Sequence, residues 1–325
     1  MILTLTPNPS VDQTVALTER LARGAVHRVA TTTSQPGGKG VNISRAAVAA
    51  GEPSIAVLPA LIDDPFVLEL LAGGVDCRPV RPSGPVRVNV TLAEPDGTTT
   101  KLNSPGAEVD ARVLDDLTEV LLHHAGQADW TVLAGSLPPG APPEWYAALT
   151  ARLRSRGTRV AVDTSDAPLK ALVAALPGPA PDLMKPNAEE LASFTGADAD
   201  VLEADPAAAA AAAHQLLERG VGTVLATLGA NGAVLLHRDA TGAVGAWHAT
   251  PPPTTVVSTV GAGDSSLFGY LLGCRRGLPA EQRLALGVAY GSAAAGLPGT
   301  TIPLPDQVRP ELVAVSPVPF TRGDS

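Results

Sequence analysis

From Ala111 onward, helix-spaced and β-rich runs take turns at short intervals. A helix to Ala125 precedes a strand over Trp130 to Ala134, a helix over Pro143 to Arg156, a strand over Arg159 to Asp163 and a helix over Ala167 to Leu176. Strands that alternate with helices are joined by crossovers and so lie parallel, and a parallel sheet needs helices on both faces. The rhythm predicts an α/β chain in three layers, helix, sheet and helix, with a mostly parallel sheet. It continues with a strand at Leu183 to Lys185, a helix at Ala188 to Thr195 and a helix over Pro206 to Arg219 that contains the alanine run Ala207 to Ala213. Strands at Val221 to Thr227, Ala233 to His237 and Gly242 to Ala249 follow, then a helix over Glu281 to Ala295. The proline-rich tail from Pro303 is expected to wrap the surface. A length of 325 residues suits one such domain, and no linker or internal repeat divides it.

The N-terminal third breaks the rhythm. Ile2 to Thr6 reads as a buried strand ended by Pro7-Asn8-Pro9, Ser54 to Leu61 as another, and Pro65 to Leu71 as a short helix. By contrast, Arg28 to Thr33 and the hairpin of Val86 to Ala93 with Thr98 to Leu102, turned at Glu94-Pro95-Asp96-Gly97, mix apolar with polar positions. That is the pattern of a sheet with one wet face. Residues 12–35 and 85–104 are therefore expected to form a small β-sheet lid. In open α/β sheets, ligands bind beyond the carboxyl ends of the strands. Asp12, Ser136, Asp163, Lys185, Asn187, Gly229 and Asp264 all fall at such ends and are expected to line one crevice.

Charge narrows the partners. The formal net charge of -9, with no local run of Lys and Arg, argues against a nucleic-acid or membrane surface. No uninterrupted apolar stretch reaches the roughly 18 residues of a membrane span, and the start lacks the pattern of a signal peptide. Two isolated cysteines, Cys77 and Cys274, make neither a disulfide framework nor a zinc site and suit a reducing cytoplasm.

Two glycine-rich loops open onto helices. In the first, Gly37, Gly38 and Gly40 surround Lys39 ahead of a helix from Val41 to Ala50. It is not a Walker loop, because Gly40 stands where Ser or Thr must follow the lysine. In the second, a β-branched run from Thr254 to Val260, expected as a strand, leads into Gly261-Ala262-Gly263-Asp264 and an apolar helix. A dinucleotide fingerprint fails there, since Ser266 occupies its third glycine position. Main-chain N–H groups at a helix start attract anions. Asp264 is then either an ordinary cap or a base that takes a proton from a hydroxyl attacking phosphate. Lys39 would add a cation to an anion site, or belong to a plain surface loop. Asn187 and Glu190, three apart, share a helix face and either cap that helix or hold a hydrated Mg²⁺.

Taken together, T-L-T-P-N-P-S-V-D, P-G-G-K-G-V-N, G-S-L-P-P-G, K-P-N-A-E-E-L, T-L-G-A-N-G and S-T-V-G-A-G-D-S occur in the order and spacing of the ribokinase-like (PfkB) family of carbohydrate kinases, which the chain resembles over nearly its whole length. The first of these resembles the branch that phosphorylates sugar phosphates, the 1-phosphofructokinases foremost. The resemblance implies a ribokinase-like three-layer αβα fold and transfer of the ATP γ-phosphate to a ketohexose phosphate. That substrate is fructose 1-phosphate first, with tagatose 6-phosphate or fructose 6-phosphate as alternatives and an idle sugar- or nucleotide-binding regulator as the non-enzymatic one. By the same resemblance Asp264 is the catalytic base and Gly261, Ala262 and Gly263 form the anion hole. Asp12, Gly38, Lys39 and Asn42 contact the sugar, with Lys39 and Arg87 reserved for its phosphate. Lys185, Asn187, Thr227, Gly229 and Gly232 serve the nucleotide, and Asn187 and Glu190 serve Mg²⁺ through water. The implied partner is a second copy, docked through the lid. Three departures stand out: the glycine-free stretch L-P-A-L-I-D-D-P, Phe268 where a small residue is usual, and Asp166 in place of a glycine.

Overall fold

The computed structural model describes residues 1–239 and 241–319. β1 (Ile2–Leu5) is apolar but for Thr4 and wholly buried, and Pro7-Asn8-Pro9 then turns the chain outward into β2 (Ser10–Leu17) and β3 (Val29–Gly37). α1 (Lys39–Ala49) brings it back to β4 (Ser54–Pro59), α2 (Pro65–Ala72) and β5 (Asp76–Val80). A second excursion makes β6 (Arg87–Ala93) and β7 (Thr99–Leu102). The regular part follows: α3 (Ala111–Ala125), β8 (Trp130–Ala134), α4 (Trp145–Arg154), β9 (Arg159–Asp163), α5 (Asp166–Ala175), β10 (Leu183–Met184), α6 (Ala188–Thr195), α7 (Ala199–Ala204) and α8 (Pro206–Glu218). β11 (Thr223–Thr227), β12 (Ala233–Arg238), β13 (Val244–Thr250), α9 (Ala262–Arg275), α10 (Ala280–Ala295) and β14 (Ala314–Pro317) complete the chain.

The main sheet runs in the order β14-β13-β12-β11-β10-β9-β8-β1-β4-β5. It is parallel from β11 to β5, and the strands from β11 to β14 pair antiparallel at the other edge. Period-two alternation sorts the side chains. Leu3, Leu5, Leu133, Val160 and Val162 point into one core with α3, α4, α5 and α8, whereas Ile2, Trp130, Val132, Ala161 and Leu225 meet α1, α9 and α10. Three layers result, as the rhythm required. The small sheet has the order β3-β2-β6-β7, with β2 and β6 parallel at its centre. Asp163, Lys185, Thr227 and the Ser136 loop lie at or just beyond the carboxyl ends of the central strands.

Two sequence readings are corrected. Thr254 to Val260 is not a strand: Pro251, Pro252 and Pro253 precede it, Val256 and Val257 are exposed, and the N–H groups of Val257 and Ser258 donate to the Ala295 carbonyl at the end of α10. Asp264 therefore reaches the crevice in the first turn of α9, fed by a loop and not by a strand of its own. The tail does more than wrap, because β14 extends the sheet beside β13; residues 320–325 lie outside the described residues. β5 and α7 went unread. Asp166 sits at φ 56°, the left-handed region that glycine adopts freely, and Ser165 Oγ donates to its carboxylate at 2.8 Å. Phe268 is fully buried and meets the Tyr290 ring edge-on at 5.1 Å. No described helix is long and apolar enough to cross a membrane.

Candidate active site

The loop after Val260 starts α9 with Gly261 at φ 79°. No side chain caps this helix. The Ala262 N–H leans to the Thr259 carbonyl at 3.3 Å, which leaves the N–H groups of Gly263 and Asp264 uncapped at the positive end of the dipole. Asp264 is thus not the cap. Its carboxylate is buried and accepts a bond from Asn42 Nδ2 at 2.8 Å. Burial pushes its pKa up to about 6, the Asp163 charge adds to the rise, and Lys39 and the Asn42 bond hold it back. A carboxylate poised near neutrality can accept a proton and release it.

Asn42 and Lys39 come from α1, whose start is set by Gly38. Gly38 has φ 114°, and a Cβ there would lie 2.7 Å from Thr6 Cγ2, so α1 approaches β1 as only glycine permits. Lys39 Nζ donates to Asp163 Oδ1 at 2.6 Å, and Lys185 Nζ stands 3.2 Å from Asp163 Oδ2. The Asp163 side chain is completely buried, Lys185 is nearly so, and Lys39 is one-third exposed. Burial alone would raise the Asp163 pKa and lower that of Lys39. The two ammonium charges outweigh it at Asp163, and the carboxylates of Asp163, Asp264 and Glu190 outweigh it at Lys39, so the first is held below and the second above its usual value. A Cβ on Gly263 would come within 3.3 Å of Lys185 Nζ, which places this ammonium group against the uncapped helix start. Lys39 and Lys185 thus flank one buried carboxylate, and the carboxylates of Asp264 and Glu190 also act on the Lys39 charge. Asp163 was legible as a strand end; that it holds both lysines was not.

Asn187 and Glu190 form a capping box on α6: Asn187 Oδ1 accepts from the Glu190 N–H at 2.7 Å, and Glu190 Oε2 from the Asn187 N–H at 2.9 Å. The capping alternative is therefore real. Burial raises the Glu190 pKa, with Asp163 adding to it against the pull of Lys39. As for Mg²⁺, Glu190 keeps its second oxygen free of the box while the Asn187 oxygen is already engaged. Among the described residues no cluster of three or more His, Cys, Asp or Glu could hold a metal. That donor set fits an ion held by one carboxylate, water and phosphate, as Mg²⁺ prefers. Beside it, Thr227 bridges to Asn187 and takes its place at the end of β11. Gly232, at φ 89°, lies so close to β13 that a Cβ would meet the Ala249 carbonyl oxygen; Gly229 lies against Glu203.

The small sheet supplies the opposite wall. Asp12 Oδ1 accepts from Ser10 Oγ at 2.8 Å and Asn89 Nδ2 at 3.1 Å. Arg87 donates to the carbonyls of Ser104 at 2.8 Å and Asn8 at 3.2 Å, while its buried Nε has no partner. Asn8, Arg87, Ser136 and Asp166 line one cavity between the small sheet and the loops after β8 and β9. A cavity lined by a guanidinium and a serine hydroxyl suits an anionic group.

Residues 6–307 match the pfkB family carbohydrate kinase profile. The chain is 38% identical to the 1-phosphofructokinase of Rhodobacter capsulatus over 94% of each sequence, and 34% identical to that of Escherichia coli K12 over 97% of this chain and 96% of the other. Its fold superposes on a crystal structure of Escherichia coli phosphofructokinase-2, in complex with substrates and products, with a TM-score of 0.84 at 29% identity, covering 94% of this chain and 96% of that one. With helices on both faces of its main sheet and an uncapped helix start beside a buried carboxylate, the chain belongs to the pfkB family of carbohydrate kinases, phosphotransferases that act on a sugar hydroxyl.

Proposed function

We propose that this kinase transfers the γ-phosphoryl group of ATP to the 6-hydroxyl of fructose 1-phosphate, giving fructose 1,6-bisphosphate. The observation that carries this reading is the buried carboxylate of Asp264, its pKa raised to about 6, at an uncapped helix N-terminus next to the Lys39–Asp163–Lys185 cluster. Phosphoryl transfer asks a protein for position and charge stabilisation above all. Asp264 takes the proton of the attacking hydroxyl, and the N–H groups at the start of α9 with Lys185 receive the charge that develops on the phosphoryl oxygens. Asn42 keeps Asp264 turned toward the acceptor. Asp12 and Gly38 hold the sugar, Lys39 and Arg87 its own phosphate, and Thr227, Gly229 and Gly232 the nucleotide. Glu190, with Asn187 fixing its loop, would hold Mg²⁺ through water, and the ion when bound offsets phosphate charge. Val26, Val29, Val88 and Leu102 are exposed on the small sheet and its loop, which supports a homodimer through this lid. Free thiols at Cys77 and Cys274 suit a reducing cytoplasm.

The test is ADP release with ATP and Mg²⁺ over fructose 1-phosphate, tagatose 6-phosphate, fructose 6-phosphate and unphosphorylated sugars. Fructose 1-phosphate is expected to give the highest kcat/KM, and Arg87→Ala to raise its KM by more than about tenfold with kcat nearly kept, the mark of lost uniform binding. No turnover on any phosphosugar sinks the reading. Sedimentation of the same preparation as a monomer at assay concentration removes the dimer.

The acid limb of the kcat/KM profile gives an independent check, because it reports the free enzyme's base. Activity is expected to rise through an apparent pKa near 6 as Asp264 loses its proton. Asn42→Ala removes a hydrogen bond to the charged form, worth about 1.5–3 kcal/mol, and so moves that limb about 1–2 pH units higher. A limb that stays in place would show that another group titrates.

A further inference from the structure

Lys39, Asn42 and Arg45 follow one another at three-residue spacing on one side of α1. The first reaches Asp163 and the second Asp264, but the third faces a different structure. Arg45 Nη1 donates to the Pro36 carbonyl of β3 at 2.9 Å and to the Thr300 carbonyl, in the loop after α10, at 3.3 Å. Thr300 is buried, and its hydroxyl donates to Gln35 Oε1 at 3.0 Å. Gln35 stands opposite Asp12 in the ladder of β2 and β3. On its other side, the Thr300 Cα lies 4.0 Å from the point where a Cβ on Gly261 would sit, and the Cβ position of Gly299 is 3.7 Å from Thr14 Oγ1 of β2. The small sheet, the Gly299-Thr300 loop and Gly261, the N-cap residue of α9, thus lie side by side, and one guanidinium nitrogen pins the sheet to the loop.

We propose that Arg45, assisted by Gln35 and Thr300, is a positioning residue that couples the seating of the small sheet over the acceptor to the alignment of the anion hole at Gly261 to Asp264. The polar side-chain contacts of Arg45, Gln35 and Thr300 are with one another and with the Pro36 carbonyl, so the three act through the groups they hold. Its effect is to make the helix start correctly placed only when the acceptor wall is in place, so that the phosphoryl group meets the sugar hydroxyl. When the two are uncoupled, water takes that role: its oxygen bonds to the γ-phosphorus, its proton passes to Asp264 and on to solvent, the bond to the ADP oxygen breaks, and ADP and inorganic phosphate leave. A lid that excludes water serves this same end, and small misplacements at such a site are amplified in rate.

The inference rests on the kinase reading, and the experiment separates the two. ADP release and bisphosphate formation are measured together for the wild type, Arg45→Met, Arg45→Lys and Thr300→Val, with and without fructose 1-phosphate. The wild type is expected to form one bisphosphate per ADP. Arg45→Met is expected to release several ADP per bisphosphate and to raise the acceptor KM about tenfold, with the ATP KM unchanged. Thr300→Val moves the same ratio less. Arg45→Lys, which keeps the charge but not the reach, falls between wild type and Arg45→Met. A role in stability alone would lower the melting temperature and leave the ratio at one; that result in folded Arg45→Met and Thr300→Val overturns the proposal. Where Arg45→Met fails to fold, Thr300→Val and Gln35→Leu carry the same ratio test. A wild type with no turnover on any phosphosugar fails the kinase reading instead.

Discussion

Asp264→Asn is expected to lower kcat by about 10²–10⁴, the usual worth of a positioned base, while ATP binds with nearly its normal affinity. The substitution keeps size and shape, and its amide can still pair with Asn42, so the loss isolates the proton acceptor. It also has a stability consequence of opposite sign. Burial raises the Asp264 pKa above its unfolded value, so the folded state binds a proton more tightly and loses stability as pH rises from about 4 to about 6. A neutral amide carries no such penalty. Asp264→Asn is therefore expected to melt a few degrees above the wild type at pH 8 and to show no advantage at pH 4, as strain kept for function is released. Thermal denaturation at both pH values checks this beside the kinetics. Substantial residual turnover, with no gain in stability, would return Asp264 to a merely structural part.

Much of the fold was readable because parallel sheets impose a rhythm that survives without tertiary information. The strands at Trp130, Arg159 and Thr223 each hold three consecutive apolar residues, Val132 to Ala134, Val160 to Val162 and Val224 to Ala226, because helices cover both their faces. The failures have local causes. β5 reads D-C-R-P-V, with two charges and a proline, and forms because it lies at the sheet's edge, where a missing N–H is tolerated. Thr254 to Val260 has strand composition, yet the three prolines before it and the pull of the Ala295 carbonyl leave it no ladder to join. Within the site, residue types at strand ends and glycine-rich helix starts were visible. Which side chains share a proton or a charge was not, since Asn42 and Asp264 are 222 residues apart, and Lys39 and Asp163 are 124. The role of Asp166 became physical only with its φ of 56°.

Asp163→Ala is expected to be the most damaging single change to stability. Its carboxylate is fully buried between Lys39 and Lys185, and removing it strands an ammonium group that is itself almost wholly buried. Breaking a buried pair from one side costs about 3–5 kcal/mol, far more than an exposed pair is worth. The pH dependence follows from the two shifts. Because the Asp163 pKa is depressed, its contribution is complete above its unfolded value near 4 and is lost as pH falls through the lower folded value. The raised Lys39 pKa gives a contribution present below its unfolded value of about 10.4 and lost as pH rises through the folded one. Urea denaturation at pH 7 therefore samples the cluster at full strength. There, Asp163→Asn is expected to destabilise nearly as much as Asp163→Ala, because it is the charge and not the volume that the lysines need. Adding Lys39→Met to Asp163→Asn removes one stranded cation, so the double variant is expected to be more stable than the sum of the single losses implies, by about 1–3 kcal/mol. Strict additivity would mean that Asp163 and Lys39 act apart.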